Sequence, residues 1–220
     1  IPEVRTMEQL AGRIARKLMM DSTEIAALTV GDTLAAGIFV PDTYEVYWNI
    51  SAGSLMERMR SEHDAFWNRE RRRQLADSLG LTPDEVCTLA SIIDEETADN
   101  GEKPAIAGMY LNRLRIGMPL QADPTVKFAI GDFTLRRILN KHLKAESPYN
   151  TYINTGLPPG PIKIASKMGI DAVLHAEKHN YLYMCAKDDF SGTHSFAATY
   201  REHLRNAARY AKALDKRGVR

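Results

Sequence analysis

Apolar side chains recur every three or four residues along much of this chain, a spacing that places them on one face of a helix. Thr6 and Gln9 form a capping box at the start of the first such segment, in which Leu10, Ile14 and Leu18 follow one turn apart. Further helices are predicted from about Asp21, from Ser54, from Thr82 to about Ala98, from Pro104 to Gly117, over residues 170–176 and around residues 204–214. The pattern therefore predicts a mainly helical chain.

Segments of a different character interrupt the helical pattern. Residues 181–185 favour a strand, and Ser191 and Gly192 can turn the chain back through His194. Residues 36–47 look extended, and residues 118–161 are so rich in proline, glycine and other turn-forming residues that a long irregular region is predicted. The predicted fold class is α+β, a mainly helical domain with a small antiparallel sheet and long ordered loops.

Composition and charge narrow the classes of function. The 220 residues carry a formal charge of +1 and are 44% hydrophobic, which is ordinary for a folded domain and gives no global reason to expect a nucleic-acid partner. The basic run at residues 69–73 lacks interleaved aromatic residues, so we interpret it as a solvated helix face. The longest apolar stretch, residues 34–40, is far shorter than the roughly 20 residues of a membrane-spanning helix.

Neither the cysteines nor the histidines form a metal-binding pattern. Cys87 lies among apolar residues, so a buried free thiol is the leading interpretation. A disulfide between Cys87 and Cys185 stays open, because the sequence alone gives no geometry. His194 and Ser195, in the predicted hairpin, either touch a ligand or only form a hydrogen-bonded turn.

Three consecutive acids, Asp94, Glu95 and Glu96, stand near the end of the fourth predicted helix. Successive residues are about 100° apart around an α-helix, so the three side chains point in different directions. Glu95 falls opposite the buried stripe and is expected to be solvated, whereas Glu96 falls between the apolar Leu89 and Ile92. Partial desolvation raises the pKa of a carboxyl group and suits it to act as an acid near neutral pH.

The alternative for the same three acids is that they only end a helix in water, where acidic residues are common. A carboxylate at a helix C-terminus is slightly unfavourable next to the helix dipole, which favours a specific role. Spacing alone leaves both interpretations open.

Most of the chain, from residue 1 to about residue 203, resembles the YceG-like endolytic murein transglycosylases. The resemblance is carried, in the family's order, by LASIIDEET at 89–97, NRL at 112–114, GM at 117–118, LQ at 120–121 with DPTV at 123–126, YNTY at 149–152 and GLPPG at 156–160. Each motif is weak alone, but their occurrence in register is specific. The sequence departs from the family pattern at Val40, Asp94 and Glu95, where an aromatic residue, a glutamate and a basic residue are commoner.

The resemblance implies a reaction that needs one carboxylic acid. The family's catalytic glutamate is the last acid before the threonine, which corresponds to Glu96. It protonates the bridging oxygen of the MurNAc–GlcNAc bond, and its carboxylate then takes the proton of the C6 hydroxyl as a 1,6-anhydro ring closes. No metal and no cofactor are implied. Candidates for lining the sugar groove are Gln121, Asp123, Tyr149, Asn150 and Thr151; the alternative is that they only fix the loop geometry.

The resemblance also implies how the protein is organised and where it acts. Residues 1–37 are expected to form an N-terminal helical part and residues 38–220 the catalytic domain. A membrane-anchoring helix and a LysM-like region are expected ahead of Ile1, with activity on the extracytoplasmic face of the cytoplasmic membrane. The implied partners are peptidoglycan glycan strands and penicillin-binding synthases. Two rival functions stay open, a hydrolytic muramidase with Asp123 as second carboxylate and a non-catalytic peptidoglycan-binding module.

Overall fold

The computed structural model describes residues 1–29, 32, 34–135 and 137–218. Its α-helices are α1 (Met7–Ala15), α2 (Ser22–Ala27), α3 (Ala35–Ile38), α4 (Ala52–Asn68), α5 (Arg72–Leu79), α6 (Pro83–Glu96), α7 (Lys103–Arg115), α8 (Asp123–Ile130), α9 (Lys167–Leu174) and α10 (Tyr200–Lys216). Two 3-10 turns, Arg69–Arg71 and His142–Lys144, and two strands, β1 (Tyr183–Ala186) and β2 (His194–Ala197), complete the described elements. The fold is α+β, as predicted.

The principal hydrophobic core is built around α6, which packs against α5, α7, α8 and α9. Leu89, Ile92 and Ile93 of α6 are completely buried there. A second core lies between α1, α2 and α4 and includes Leu10 and Met59, both of which are also buried. Burial of this kind is the main favourable contribution to folding, at roughly 25 cal/mol per Å² of apolar surface. This packing makes α6 the central helix of the principal core.

The ends of α6 follow from local chemistry. Thr82 Oγ1 accepts a hydrogen bond from the Glu85 backbone N–H, and the Glu85 carboxylate accepts one from the Thr82 N–H, so the predicted capping box is confirmed. The helix ends at Glu96, slightly before the predicted end, because Thr97 is extended with φ −143°. The last turn of α6 therefore carries all three consecutive acids.

The predicted hairpin is also confirmed. Strands β1 and β2 are antiparallel, with Tyr183 opposite Ala197 and Ala186 opposite His194. Helix α10 packs against both strands. The hairpin thereby brings His194, almost a hundred residues from α6 in sequence, into a rigid unit at the edge of the main core.

Several sequence predictions were wrong in detail. Residues 36–47 are not extended throughout, since α3 forms one helical turn at their start. Helix α8 lies inside the region predicted to be irregular; it buries only Thr125 and Val126, too few for a clear apolar stripe. Helix α4 begins at Ala52, because the side chain of Ser51 caps it by accepting the Ser54 N–H, and Ser54 lies inside the first turn.

Two further expectations concern the basic run and the thiols. The run at residues 69–73 is not simply a solvated face, because Arg72 is buried and its Nε lies 3.0 Å from Asp171 Oδ1. Cys87 is a buried free thiol and Cys185 is also free, so the leading interpretation of Cys87 is confirmed. No helix in the described part of the chain is both long enough and apolar enough to cross a membrane.

Candidate active site

An open cavity of about 210 Å³ lies between the end of α6, helix α7, the start of α8 and the hairpin. Its polar lining side chains are Glu96, Tyr110, Arg113, Gln121, Asp123, Tyr152 and His194. Met109, Leu120 and Met184 contribute apolar surface. The cavity therefore combines two carboxyl groups, two phenols, a guanidinium and an imidazole on a partly apolar wall.

A larger cavity, of about 700 Å³, lies elsewhere, between α1, α4 and residues 42–46. Its lining includes the cations Arg13, Arg16 and Lys17. Asp42, the carboxylate among its described lining residues, forms an ion pair with Lys167. Size alone would favour this cavity, but general acid–base chemistry needs a carboxyl group that is free to exchange its proton. We therefore assign the candidate active site to the smaller cavity.

Glu96 is the chemically distinctive group of the candidate site. Burial raises its pKa to about 7, while the hydrogen bond that Tyr110 donates to Glu96 Oε1, at 2.8 Å, acts in the opposite direction. The charges of His194 and Arg113 also lower the pKa, whereas that of Asp123 raises it. The predicted partial burial of Glu96 is confirmed, and this burial brings the pKa of its carboxyl group close to neutral pH.

Asp94, two positions before Glu96 on α6, is held in a structural ion pair. Its side chain is 2% exposed, and its Oδ1 lies 2.7 Å from Lys103 Nζ. The Ser166 N–H and hydroxyl donate to the same carboxylate at 2.7 and 2.8 Å. A Cβ added to Gly169 would lie 2.6 Å from Asp94 Oδ1, so glycine is required for this close approach. Asp94 thus joins α6 to α7 and α9.

Glu95 was predicted to be solvated, and this prediction was wrong. Its side chain is only 19% exposed, because the N-terminal segment covers this face of α6. Arg5 Nη2 lies 2.7 Å from Glu95 Oε2, and Lys163 Nζ lies 3.5 Å from Oε1. A helical wheel accounts for the helix alone and not for a chain segment ninety residues away that packs over it.

Two of the predicted groove residues, Gln121 and Asp123, line the cavity with Glu96. Asp123 Oδ1 accepts a hydrogen bond of 2.6 Å from the Tyr152 hydroxyl. Gln121 has φ +51°, a left-handed conformation that is costly for a residue with a Cβ. Its backbone N–H donates to the Thr151 carbonyl at 3.0 Å, which helps to hold the loop in this conformation.

The other three predicted groove residues lie behind the cavity wall. Asn150 is completely buried, and its Nδ2 donates to the carbonyls of residues 143 and 145 at 2.9 and 2.8 Å. Thr151 Oγ1 accepts from the Ala122 N–H at 3.0 Å, and the Tyr149 ring packs on Phe128 with centroids 4.7 Å apart. None of the three is among the described residues that line the cavity. These contacts favour the alternative that they fix the loop geometry.

Sequence reasoning missed Tyr110, Arg113 and Tyr152 as site residues. Tyr110 lies inside the helix predicted from Pro104 to Gly117, and nothing local distinguishes a phenol that donates to a carboxyl group from a core aromatic residue. Arg113 is 7% exposed, and its guanidinium donates to the carbonyls of Leu182 and Leu120 at 2.6 and 2.7 Å. It joins α7 to the hairpin and to the loop before α8, so its role depends on contacts distant in sequence.

His194 lines the cavity, which favours the ligand-contact interpretation of this residue over a simple turn. In residues 1–29, 32, 34–135 and 137–218, no group of three or more His, Cys, Asp or Glu side chains could hold a metal ion. The arrangement is suited to proton transfer by a carboxyl group, with hydrogen-bonding side chains around it to hold a polar ligand.

The chain is similar in sequence to curated proteins of other bacteria. The chain is 42% identical over 130 residues to an endolytic murein transglycosylase of Bacillus subtilis, an alignment that covers 59% of this chain and 35% of that protein. It is 30% identical over 181 residues to an endolytic murein transglycosylase of Streptococcus pneumoniae, covering 80% of this chain and 32% of that protein. The chain thus spans about a third of the length of these curated relatives.

The fold also matches a solved structure. A crystal structure of a yceG-like protein from Listeria monocytogenes superimposes with a TM-score of 0.77 at 29% identity, over 93% of this chain and 74% of that one. The model of the YceG-like family matches residues 1–209. The chain therefore belongs to the YceG-like family.

Proposed function

We propose that this chain is the catalytic part of an endolytic lytic transglycosylase that cleaves glycan strands of peptidoglycan, with Glu96 as both acid and base. The observation that carries the proposal is the buried Glu96 carboxyl group on the wall of an open cavity, where burial raises its pKa to about 7. Similarity to proteins named endolytic murein transglycosylase supports the substrate class. We assign the chemistry to residues 38–220, which supply all of the described side chains that line the cavity.

The reaction requires two proton transfers at one carboxyl group. Protonated Glu96 donates to the bridging oxygen of the MurNAc–GlcNAc bond, and the bond between that oxygen and the MurNAc anomeric carbon breaks. The C6 hydroxyl of the same MurNAc then attacks the anomeric carbon and gives its proton to the Glu96 carboxylate. The products are a free GlcNAc hydroxyl and a 1,6-anhydro-MurNAc end, and Glu96 is protonated again. A group whose pKa lies near the working pH serves both steps well.

The surrounding side chains are proposed to serve this cycle by position and charge. The Tyr110 hydroxyl stabilises the carboxylate form that follows the first transfer, since it donates to Glu96 Oε1. Gln121 and Asp123 are proposed to bind sugar groups. Asn150, Thr151 and Tyr149 are proposed to keep the loops that carry these groups in place. The reaction as written needs no metal and no cofactor.

Hydrolysis by a muramidase is the competing chemistry, favoured by one observation. Asp123 lines the same cavity as Glu96, and ordinary glycosidases use two carboxyl groups. Asp123 accepts a hydrogen bond from Tyr152, which orients it but leaves its second oxygen available. The two reactions differ in their product, because hydrolysis adds a water molecule.

The test is digestion of purified peptidoglycan followed by separation and mass spectrometry of the products. We expect internal cuts that end in 1,6-anhydro-MurNAc, each lighter by one water than the hydrolytic product, and far slower product formation with Glu96→Gln. Ends of reducing MurNAc as the main product would establish the muramidase. Binding to glycan strands without any product from the wild-type protein would establish the non-catalytic module.

The place of action and the partners follow from the proposed substrate. Peptidoglycan lies outside the cytoplasm, so we propose that the domain works on the extracytoplasmic face of the cytoplasmic membrane, held there by an anchor ahead of residue 1. Penicillin-binding synthases, which make the strands, are proposed as neighbours. Crosslinking of the full-length protein in living cells tests both points, and recovery of cytoplasmic partners alone would contradict them.

A further inference from the structure

We propose that His194 contacts the bound saccharide beside Glu96 and that Glu102 is a positioning residue that fixes the His194 ring. This inference rests on the proposed function. His194 is the first residue of β2 and lines the cavity that contains Glu96. Glu102 immediately precedes α7, and it does not belong to the described lining of that cavity.

The two side chains are joined by a paired contact. Glu102 Oε2 lies 2.9 Å from His194 Nδ1, and Glu102 Oε1 accepts the His194 backbone N–H at 2.5 Å. Both side chains are largely buried, at 8% exposure for Glu102 and 15% for His194. A carboxylate that holds a residue through its ring and its backbone together leaves that ring little rotational freedom. Such pre-organisation is typical of residues that must meet a ligand in one geometry.

The contact also determines which ring nitrogen can meet the ligand. A carboxylate only accepts hydrogen bonds, so Nδ1 carries the proton that it shares with Glu102. Nε2 is therefore the nitrogen available to a ligand, because it forms no hydrogen bond with any of the described residues. In the neutral ring Nε2 accepts a hydrogen bond from a sugar hydroxyl or amide N–H, and in the charged ring it donates to a sugar oxygen.

His63 also has a carboxylate beside Nδ1, with Asp64 Oδ1 3.5 Å away, but among the described histidines only His194 lines the Glu96 cavity. His179 Nε2 lies 2.9 Å from the Ala105 carbonyl, which occupies that nitrogen with the backbone. The His203 ring stacks on Tyr183 with centroids 5.4 Å apart. Neither lines the Glu96 cavity. Glu102 thus fixes the His194 ring at the cavity. Its hydrogen bond with the His194 backbone N–H also joins the start of β2 to the turn between α6 and α7.

The first experiment measures the tautomer, independently of any activity. Nitrogen-15 NMR of the histidine rings, with His194 assigned by its loss in His194→Gln, distinguishes protonated from unprotonated ring nitrogens. We expect Nδ1 to be protonated in the wild-type protein. Glu102→Gln presents an amide N–H2 to Nδ1, so we expect the proton to move to Nε2. A wild-type ring with its proton only on Nε2 would overturn the positioning role of Glu102.

The second experiment measures turnover of isolated glycan strands by the wild-type protein and four variants. We expect His194→Phe to lower kcat/KM about tenfold or more, the usual size of losing one ligand hydrogen bond. His194→Gln, whose amide can place its oxygen as an acceptor near the position of Nε2, should recover part of the loss. Glu102→Gln should lower kcat/KM through the inverted tautomer. His175→Gln, exposed at the end of α9, is the matched control and should remain unchanged.

The outcomes separate this inference from the function on which it rests. If the wild-type protein is active and His194→Phe changes its kcat/KM by less than twofold, the inference is overturned and the proposed function stays intact. No product from the wild-type protein would overturn both. Thermal melting of every variant checks folding, and if His194→Phe does not fold, Glu102→Gln decides, because unchanged turnover with an inverted tautomer would equally refute a contact through Nε2.

Discussion

Replacing Glu96 by glutamine should stabilise the protein, and more so as the pH rises. Burial raises the pKa of Glu96 from the ordinary 4.5 to about 7, so the folded protein binds this proton more tightly than the unfolded chain does. The stability that this proton contributes is fully present below pH 4.5 and is lost as the pH rises through about 7. Glutamine is neutral at every pH and suffers no such loss.

The expected magnitude follows from the two pKa values. One pKa unit corresponds to about 1.4 kcal/mol, so the difference between 4.5 and about 7 amounts to about 3 kcal/mol once the pH is above both. Near pH 5 the group is still largely protonated in the folded protein, and the difference falls to about 1 kcal/mol. The Tyr110 hydroxyl, 2.8 Å from Glu96 Oε1, can donate equally to a glutamine oxygen, so the variant keeps this hydrogen bond.

The assay is urea unfolding of the wild-type protein, Glu96→Gln and Glu95→Gln at pH 5 and pH 8. Glu95 is the matched control, because it is adjacent in sequence but forms ion pairs with Arg5 and Lys163. Its replacement should cost up to about 1 kcal/mol and show no gain with pH. Turnover by Glu96→Gln should fall by about 10²–10⁴ or more, since one group serves both proton transfers. A Glu96→Gln variant less stable than the wild type at pH 8 would refute the burial argument.

Three further predictions concern neighbouring groups. Asp94→Asn should cost about 3–5 kcal/mol in urea unfolding, because it leaves the buried Lys103 without its counter-ion; a cost below about 1 kcal/mol would contradict this. Tyr110→Phe removes a hydrogen bond that lowers the pKa of Glu96, so activity should persist to higher pH in a pH–rate profile, and a shift to lower pH would be the opposite of our expectation. Treatment with a chelator should leave glycan cleavage unchanged, because the proposed reaction uses only proton transfer; activity that is lost and then restored by added zinc would show that expectation to be wrong.

The features that could be predicted from the sequence depend on local interactions. The capping box of Thr82 and Glu85 and the apolar spacing of α6 are properties of one short segment, so the start of this helix and its buried face were predicted correctly. The side of α6 on which Glu96 lies follows from the same geometry. The hairpin could be predicted because its turn and its flanking residues are also contiguous.

The features that could not be predicted depend on contacts between distant segments. Arg5 covers Glu95 from a position ninety residues earlier, and Glu102 fixes the His194 ring from ninety-two residues earlier. The family resemblance indicated a groove near Asn150 and Thr151, but it could not distinguish side chains that face the cavity from those that hold its loops. That distinction needs the direction of each side chain, which only the folded chain supplies.

The three adjacent acids of α6 show how one helix turn can give the same functional group different roles. Asp94 is engaged by Lys103 and Glu95 by Arg5, so each carboxylate lies against a cation. Glu96 accepts its hydrogen bond from the neutral Tyr110, and among the described residues it forms no ion pair. Burial without a paired cation is the condition that raises a carboxyl pKa. Since the α6 backbone places all three side chains, the acid of the proposed reaction is selected by what packs around the helix, namely α7 and the hairpin on the side of Glu96.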